Sequence, residues 1–270
     1  MSDERPIGVF DSGVGGLTVF REVMRRVPDE KLIYFGDTAR LPYGTKSRET
    51  IIGFARQIVR FLKTKDVKAI VVACNTASAY ALDVIEAEED IPFIGVVKPG
   101  AKVAAATTKN GRIGVIATSG TISSGMYGNY IHSIDPDLKV FGKECPLFVP
   151  LVEEGWLHDS VTREVASRYL NELKGEFIDT LILGCTHYPL IRRLIAEEMG
   201  EDVKLVNPAY ETSMALRELL AERGLEASPR EKPPKHEFYV SDAAERFLTF
   251  AKAVLSCDIS STGVVDIERY

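Results

Sequence analysis

Long apolar runs are missing from this 270-residue sequence: none reaches the roughly 18 residues that would span a membrane. Positive charge is not in excess either, since 33 Lys and Arg face 39 Asp and Glu for a net charge of -6. Such a chain gains nothing from phosphate counterion release, which weighs against nucleic acid as its main partner. The opening MSDERPIGVF lacks the basic flank and long apolar stretch of a signal peptide, so a cytoplasmic protein with reduced thiols is expected. Cysteine and histidine are sparse, four of each; no two cysteines form a C-x-x-C pair and the histidines are scattered, so zinc has little support. There is no low-complexity tract. What is abundant is core material: 45% of residues are hydrophobic, and the length suits two domains.

Short apolar runs alternate with helix-period stretches. Residues 7–10, 31–35, 69–73, 93–97, 113–117, 180–183 and 203–206 read as buried strands, and 17–27, 47–63, 162–173 and 213–223 as helices. Near-continuous apolar strands alternating with helices predict an α/β protein with parallel sheets covered on both faces. Lys98-Pro99-Gly100 closes one strand-rich stretch before a small-residue helix at 101–107, and Asn207-Pro208 closes another. The expected division is 1–98 with 208–270 as one domain and 99–207 as the second. The Pro-rich, charged 227–234 reads as an exposed loop, followed by a strand at 236–240 and a helix at 243–255.

A weak internal repeat adds more. IGVFDSG at 7–13 resembles IGVIATSG at 113–120, and VVACNT at 71–76 resembles ILGCTH at 182–187, at nearly equal separations. Each matched piece is an apolar strand, a small polar turn and the start of a helix. Two similar α/β domains facing each other are the simplest account, with a ligand between them outside the carboxyl ends of the strands.

Cys74 and Cys185 occupy matched places in this repeat. A lone cysteine after a strand is as readily inert filler as a reactive thiol. Two in matched positions favour function, and the expected nearness of each to a helix N-terminus favours thiolate. Thiols approaching one ligand from opposite sides suit the movement of a proton from one face of a carbon to the other. Cys145 and Cys257 lack this context and read as structural; Trp156, His132, His158 and His236 read as packing residues. GVGG at 13–16 lacks the third glycine of a dinucleotide fingerprint, and GTKS at 44–47 lacks the upstream glycine of a phosphate loop.

DSGVGGL at 11–17, PYG at 42–44, ACNTA at 73–77 and GCTHYP at 184–189 resemble, in order, the signature blocks of the glutamate racemases within the aspartate/glutamate racemase family. The resemblance runs from about residue 5 to about residue 215. It implies interconversion of L- and D-glutamate without pyridoxal phosphate or metal, supplying D-glutamate for peptidoglycan, by a cytoplasmic enzyme that is commonly a homodimer. One cysteine thiolate would remove the α-proton and the other thiol would deliver a proton to the opposite face, Cys74 serving D-glutamate and Cys185 L-glutamate. Asp11 would manage protons on the Cys74 side and His187 on the Cys185 side. Without the resemblance, Asp11 reads as a cap for a helix starting near Gly15, and His187 as a capping or core residue.

The same resemblance places Ser12, Tyr43, Gly44, Asn75, Thr76, Thr186, Asp11 and His187 against the substrate. Thr118, Ser119 and Thr121 lie in the turn that mirrors Asp11-Ser12, and Thr118 and Thr121 are taken as further contacts. PLVEEG at 150–155 resembles the segment that supplies an acidic residue near the second cysteine; Glu153 is preferred over Glu154, with an exposed acidic helix start as the alternative. Asp37 fits an acidic position of the first domain. The rival readings are an aspartate racemase or another cysteine-pair isomerase, and a module that binds an acidic amino acid without turning it over.

Overall fold

The computed structural model describes residues 2–255, 259 and 262–270. Cys257, expected to be structural, lies outside them. The first sheet begins with β1 (Ile7–Asp11), β2 (Leu32–Gly36), β3 (Ala69–Val72) and β4 (Phe93–Gly95). The second contains β5 (Arg112–Ala117), β6 (Lys139–Glu144), β7 (Thr180–Gly184) and β8 (Lys204–Val206). The chain then returns to the first sheet with β9 (Glu237–Val240) and β10 (Gly263–Val264). The spatial orders are β10-β9-β2-β1-β3-β4 and β6-β5-β7-β8, with every pairing parallel.

The two orders are the same pattern. Strands β2-β1-β3-β4 correspond one for one to β6-β5-β7-β8, which is the sequence repeat seen in space. In both sheets the order reverses beside the central strand, between β1 and β3 and between β5 and β7, which is where open α/β sheets leave a crevice at the carboxyl ends. The turns bearing Cys74 and Cys185 leave from those ends.

Alternation explains why the runs form strands. Ile7, Val9, Ala69 and Val71 point into one apolar cluster, whereas Phe10, Ile70 and Val72 point into another on the opposite face. The second sheet divides likewise, with Ile113, Val115 and Ile182 on one face and Ile116, Leu181 and Leu183 on the other. Helices cover both faces: α1 (Leu17–Arg26), α2 (Arg48–Lys63), α3 (Asn75–Tyr80), α4 (Leu82–Glu88), α5 (Val97–Thr107), α6 (Ser119–Ser123), α7 (Met126–Ile134), α8 (Phe148–Glu153), α9 (Ser160–Lys174), α10 (Arg192–Met199), α11 (Pro208–Arg223) and α12 (Ala244–Val254). Some of the helix starts carry side-chain caps. The hydroxyl of Ser47 accepts from Thr50 N–H, the carboxylate of Asp159 from Val161 N–H, and the Asn207 amide oxygen from Ala209 N–H ahead of Pro208.

Several expectations need correction. The strand expected at 93–97 stops at Gly95, because Val97 already begins α5. Pro99 sits in that helix's first turn, where its missing N–H costs nothing. Trp156 is not a packing residue: it is 46% exposed, and His158 is exposed too. His132 and His236 do bond to backbone, to the Leu138 carbonyl and the Leu32 N–H respectively. Cys145 is buried, and 227–234 is a loop as expected. No helix among the described residues is long and apolar enough to cross a membrane.

Candidate active site

The turns leaving β1, β3, β5 and β7 meet around a narrow cavity of about 40 Å³, lined by Ser12, Pro42, Tyr43, Gly44, Cys74, Asn75, Thr76, Thr118, Cys185, Thr186 and His187, with Leu41 and Val149 as apolar wall. That is room for only a few waters. Both matched cysteines border it, so the repeat brings the two thiols to one space.

Close packing joins the two halves. The Thr18 hydroxyl donates to the Thr186 carbonyl at 2.8 Å. A methyl on Gly15 would lie 2.4 Å from Thr186 Oγ1 and 2.5 Å from the His187 ring, and one on Gly44 would lie 2.7 Å from Thr118 Cβ. Only glycine lets these turns approach so closely. Across the same seam the hydroxyls of Thr76, Thr118 and Thr121 form a triangle with edges of 2.9, 3.1 and 3.1 Å.

The surroundings of the two thiols differ. Cys74 Sγ accepts from Ala77 N–H at the start of α3 and bonds the Ser12 hydroxyl at 3.7 Å. That contact does not make it acidic, contrary to expectation. Burial first, and then the charge of Asp11, push the Cys74 thiol up to about 12. Cys185 is followed not by an α-helix but by a turn and a short 3-10 segment, Tyr188–Ile191. Its Sγ lies 3.7 Å from His187 Nδ1, and His187 Nε2 lies 3.0 Å from Glu153 Oε1. Burial alone would lower the pKa of His187, but its bonds to Cys185 and Glu153 outweigh that and raise it to about 10. Burial likewise opposes ionisation of Glu153, yet the His187 bond and charge hold its carboxyl below the ordinary range.

Asp11 is fully buried behind the cavity and does not line it. Its Oδ2 accepts from the N–H groups of Gly13 and Gly16, which shapes the turn, while Oδ1 has no partner among the described residues. Burial raises its pKa. Asp11 makes no hydrogen bond to Cys74 among the described residues, so it acts on that sulfur through charge. Thr121 also stands back from the cavity, 2% exposed, and reaches it only through the hydroxyls of Thr76 and Thr118. Asp37 is buried elsewhere: it takes hydrogen bonds from Arg40, Tyr43 and Ser241 and so shapes the loop carrying Tyr43 and Gly44. Ser119 bonds Glu144 on the outside. Of the acidic pair, Glu153 meets His187, whereas Glu154 is exposed.

Two neighbours carry no sequence signal. Arg246 on α12 lies 3.5 Å from Glu153 and 3.6 Å from Glu154, placed there by a helix far along the chain. Tyr127 on α7 donates to Asn75 Oδ1 at 2.7 Å. No motif marks either, and only the fold brings them in. No group of three His, Cys, Asp or Glu side chains among the described residues is arranged to hold a metal.

A buried space between two thiols, one beside an imidazole and the other beside a carboxylate, with hydroxyl, amide and backbone donors around it, can hold a small anion and exchange protons with it from two sides. The comparisons agree in kind. The family model for Asp/Glu/Hydantoin racemases matches residues 7–216. A glutamate racemase of Geobacter metallireducens is 48% identical over 98% of this chain and 97% of its own. The crystal structure of a glutamate racemase isoform from Bacillus anthracis superposes with a TM-score of 0.93 at 43% identity, covering 98% of both chains. That of the Francisella tularensis enzyme, solved in complex with D-glutamate, gives 0.92 at 42% identity over 99% of this chain and 100% of the other.

Proposed function

The chain belongs to the Asp/Glu/Hydantoin racemase family and is an amino-acid racemase acting on glutamate, and we propose that Cys74 and Cys185 interconvert L- and D-glutamate from opposite sides of the substrate's α-carbon. The observation that carries this is that both thiols, from mirrored turns of two mirrored sheets, line one cavity.

In one direction the Cys185 thiolate takes the α-hydrogen of L-glutamate as a proton, and the electron pair left on carbon spreads onto the α-carboxylate. The Cys74 thiol then donates its proton to the opposite face, giving D-glutamate, a Cys185 thiol and a Cys74 thiolate. The reverse direction exchanges the roles. An α-proton is far less acidic than a thiol of pKa about 8.5, so thiolate activation alone does not suffice. The narrow cavity supplies the remainder through fixed donors, the Thr76, Thr118 and Thr186 hydroxyls and the turn N–H groups, aimed at carboxylate charge. His187, held by Glu153, accepts and returns the Cys185 proton, while the charge of Asp11 keeps Cys74 protonated until its turn comes.

We read residues 1–98 with 208–270 and 99–207 as the two domains that bear these turns. The setting that fits is the cytoplasm, in a homodimer, with D-glutamate passing to peptidoglycan synthesis.

Solvent-deuterium exchange tests the assignment. Cys74→Ala and Cys185→Ala should each lose net racemisation by a factor on the order of 10³ or more. Each should retain α-hydrogen exchange, if any, from a single enantiomer, D-glutamate for Cys185→Ala and L-glutamate for Cys74→Ala. Two-way racemisation by either variant overturns the mechanism. Assay of L-aspartate beside L-glutamate by circular dichroism separates the aspartate alternative.

A further inference from the structure

Tyr127 is one of the most deeply buried polar side chains near the cavity, 3% exposed, yet it does not line it. Its ring fills a slot between two glycines. A methyl on Gly184, the residue before Cys185, would lie 3.3 Å from the ring, and one on Gly100 would lie 3.5 Å from it. From that slot the hydroxyl crosses to the opposite half of the molecule and donates to Oδ1 of Asn75, the residue after Cys74, at 2.7 Å. One side chain thus packs behind the Cys185 turn and bonds the Cys74 turn.

A carboxamide has an acceptor end and a donor end. Burial, and after it the charge of Cys185, hold the proton on the phenol, so Tyr127 remains a donor. A donor takes the acceptor end of Asn75 and leaves the NH2 group uncommitted, with no hydrogen-bond partner among the described residues. Asn75 is itself part of the cavity wall. We propose that Tyr127 is a positioning residue that locks the Asn75 carboxamide with its NH2 group toward the cavity, as a neutral donor to a substrate carboxylate. Released from the phenol, the amide can turn over and set its oxygen against that carboxylate, which repels it. The inference rests on the glutamate reading of the cavity.

The test is a double-mutant cycle on the purified enzyme, with steady-state kinetics on both enantiomers and thermal melting of each variant. Tyr127→Phe keeps the ring and removes the donor; it should raise KM for glutamate about five- to tenfold and change kcat less. Asn75→Ala should also raise KM, and adding Tyr127→Phe to it should raise KM no further. Asn75→Asp keeps an acceptor for Tyr127 but offers the cavity an anion, and should raise KM more than Asn75→Ala does. Wild-type KM in Tyr127→Phe, or additive effects in the double variant, would mean that the hydroxyl does not act through Asn75. Should Tyr127→Phe fail to fold, Asn75→Asp decides alone: binding as tight as wild type removes the donor role. Absence of glutamate turnover in the parent enzyme is a different result, which removes the reading of the site and this inference with it.

Discussion

Glu153 Oε1 lies 3.0 Å from His187 Nε2, and the other ring nitrogen faces Cys185 Sγ at 3.7 Å. Among the described residues nothing equivalent stands beside Cys74, whose surroundings are a hydroxyl, one N–H and the charge of Asp11. The two sulfurs are related by a repeat in the fold, but their electrostatics are opposite. An imidazole held by a carboxylate stands against one sulfur, whereas burial and the charge of Asp11 raise the thiol of the other.

Glu153→Gln removes the carboxylate that helps to hold His187 protonated. The imidazolium, present below about pH 10 and lost above it, should then be lost at lower pH. The alkaline limb of kcat/KM should move toward neutrality, with a fall of about 10- to 100-fold at pH 8. Both directions fall together, because the two enantiomers are equally stable. An unshifted limb would show that Glu153 does not govern His187.

Asp11→Asn removes the charge that, after burial, raises Cys74. Alkylation of Cys74 by iodoacetamide, followed peptide by peptide against pH, should begin at lower pH than in the parent. Turnover should nevertheless fall by a factor on the order of 10 to 10², since a thiol that ionises more readily is a weaker base toward the α-proton of D-glutamate. An unchanged alkylation profile would contradict the through-space coupling.

Gly44→Ala puts a methyl 2.7 Å from Thr118 Cβ, so the turn or the threonine triangle must shift. KM should rise about tenfold or more, with stability lower by roughly 1–3 kcal/mol. Gly53→Ala on α2 is the control, since its methyl meets nothing within 4 Å. It should leave kinetics unchanged and gain roughly 0.5–1 kcal/mol in urea unfolding.

His236 titrates in the opposite sense from His187. Burial first, and then Lys31, lower its pKa to about 4, and its Nδ1 accepts the Leu32 N–H. Between its ordinary value of 6.5 and about 4, the unfolded chain gains a proton that the folded one refuses. Stability should therefore fall across that window and level off below it. Urea unfolding from pH 7 to 4 should show His236→Gln losing less stability than the parent, by on the order of 2 kcal/mol allowing for partial exposure.

What the sequence disclosed followed from continuity and repetition. β1, β3, β5 and β7 are buried along nearly their whole length, so each stands out as an apolar run, and their likeness in pairs placed the two cysteines opposite one another. β6 was invisible for the converse reason. It is an edge strand reading KVFGKE whose side chains are largely exposed, and it leaves no apolar signal. The site divides in the same way. Ser12, Asn75 and Thr186 sit within three residues of a strand end, so local pattern finds them. Arg246 and Tyr127 reach the site from α12 and α7 through tertiary packing. The expected acidity of Cys74 failed because helix position is a local property, whereas burial and the field of Asp11 are not.

Thr18 is bonded across the seam to the backbone of Thr186, a residue of the wall of a space that holds only a few waters. Any widening of that space works against this stitch, so the bond between Thr18 and Thr186 sets a cost on parting the molecule's two halves.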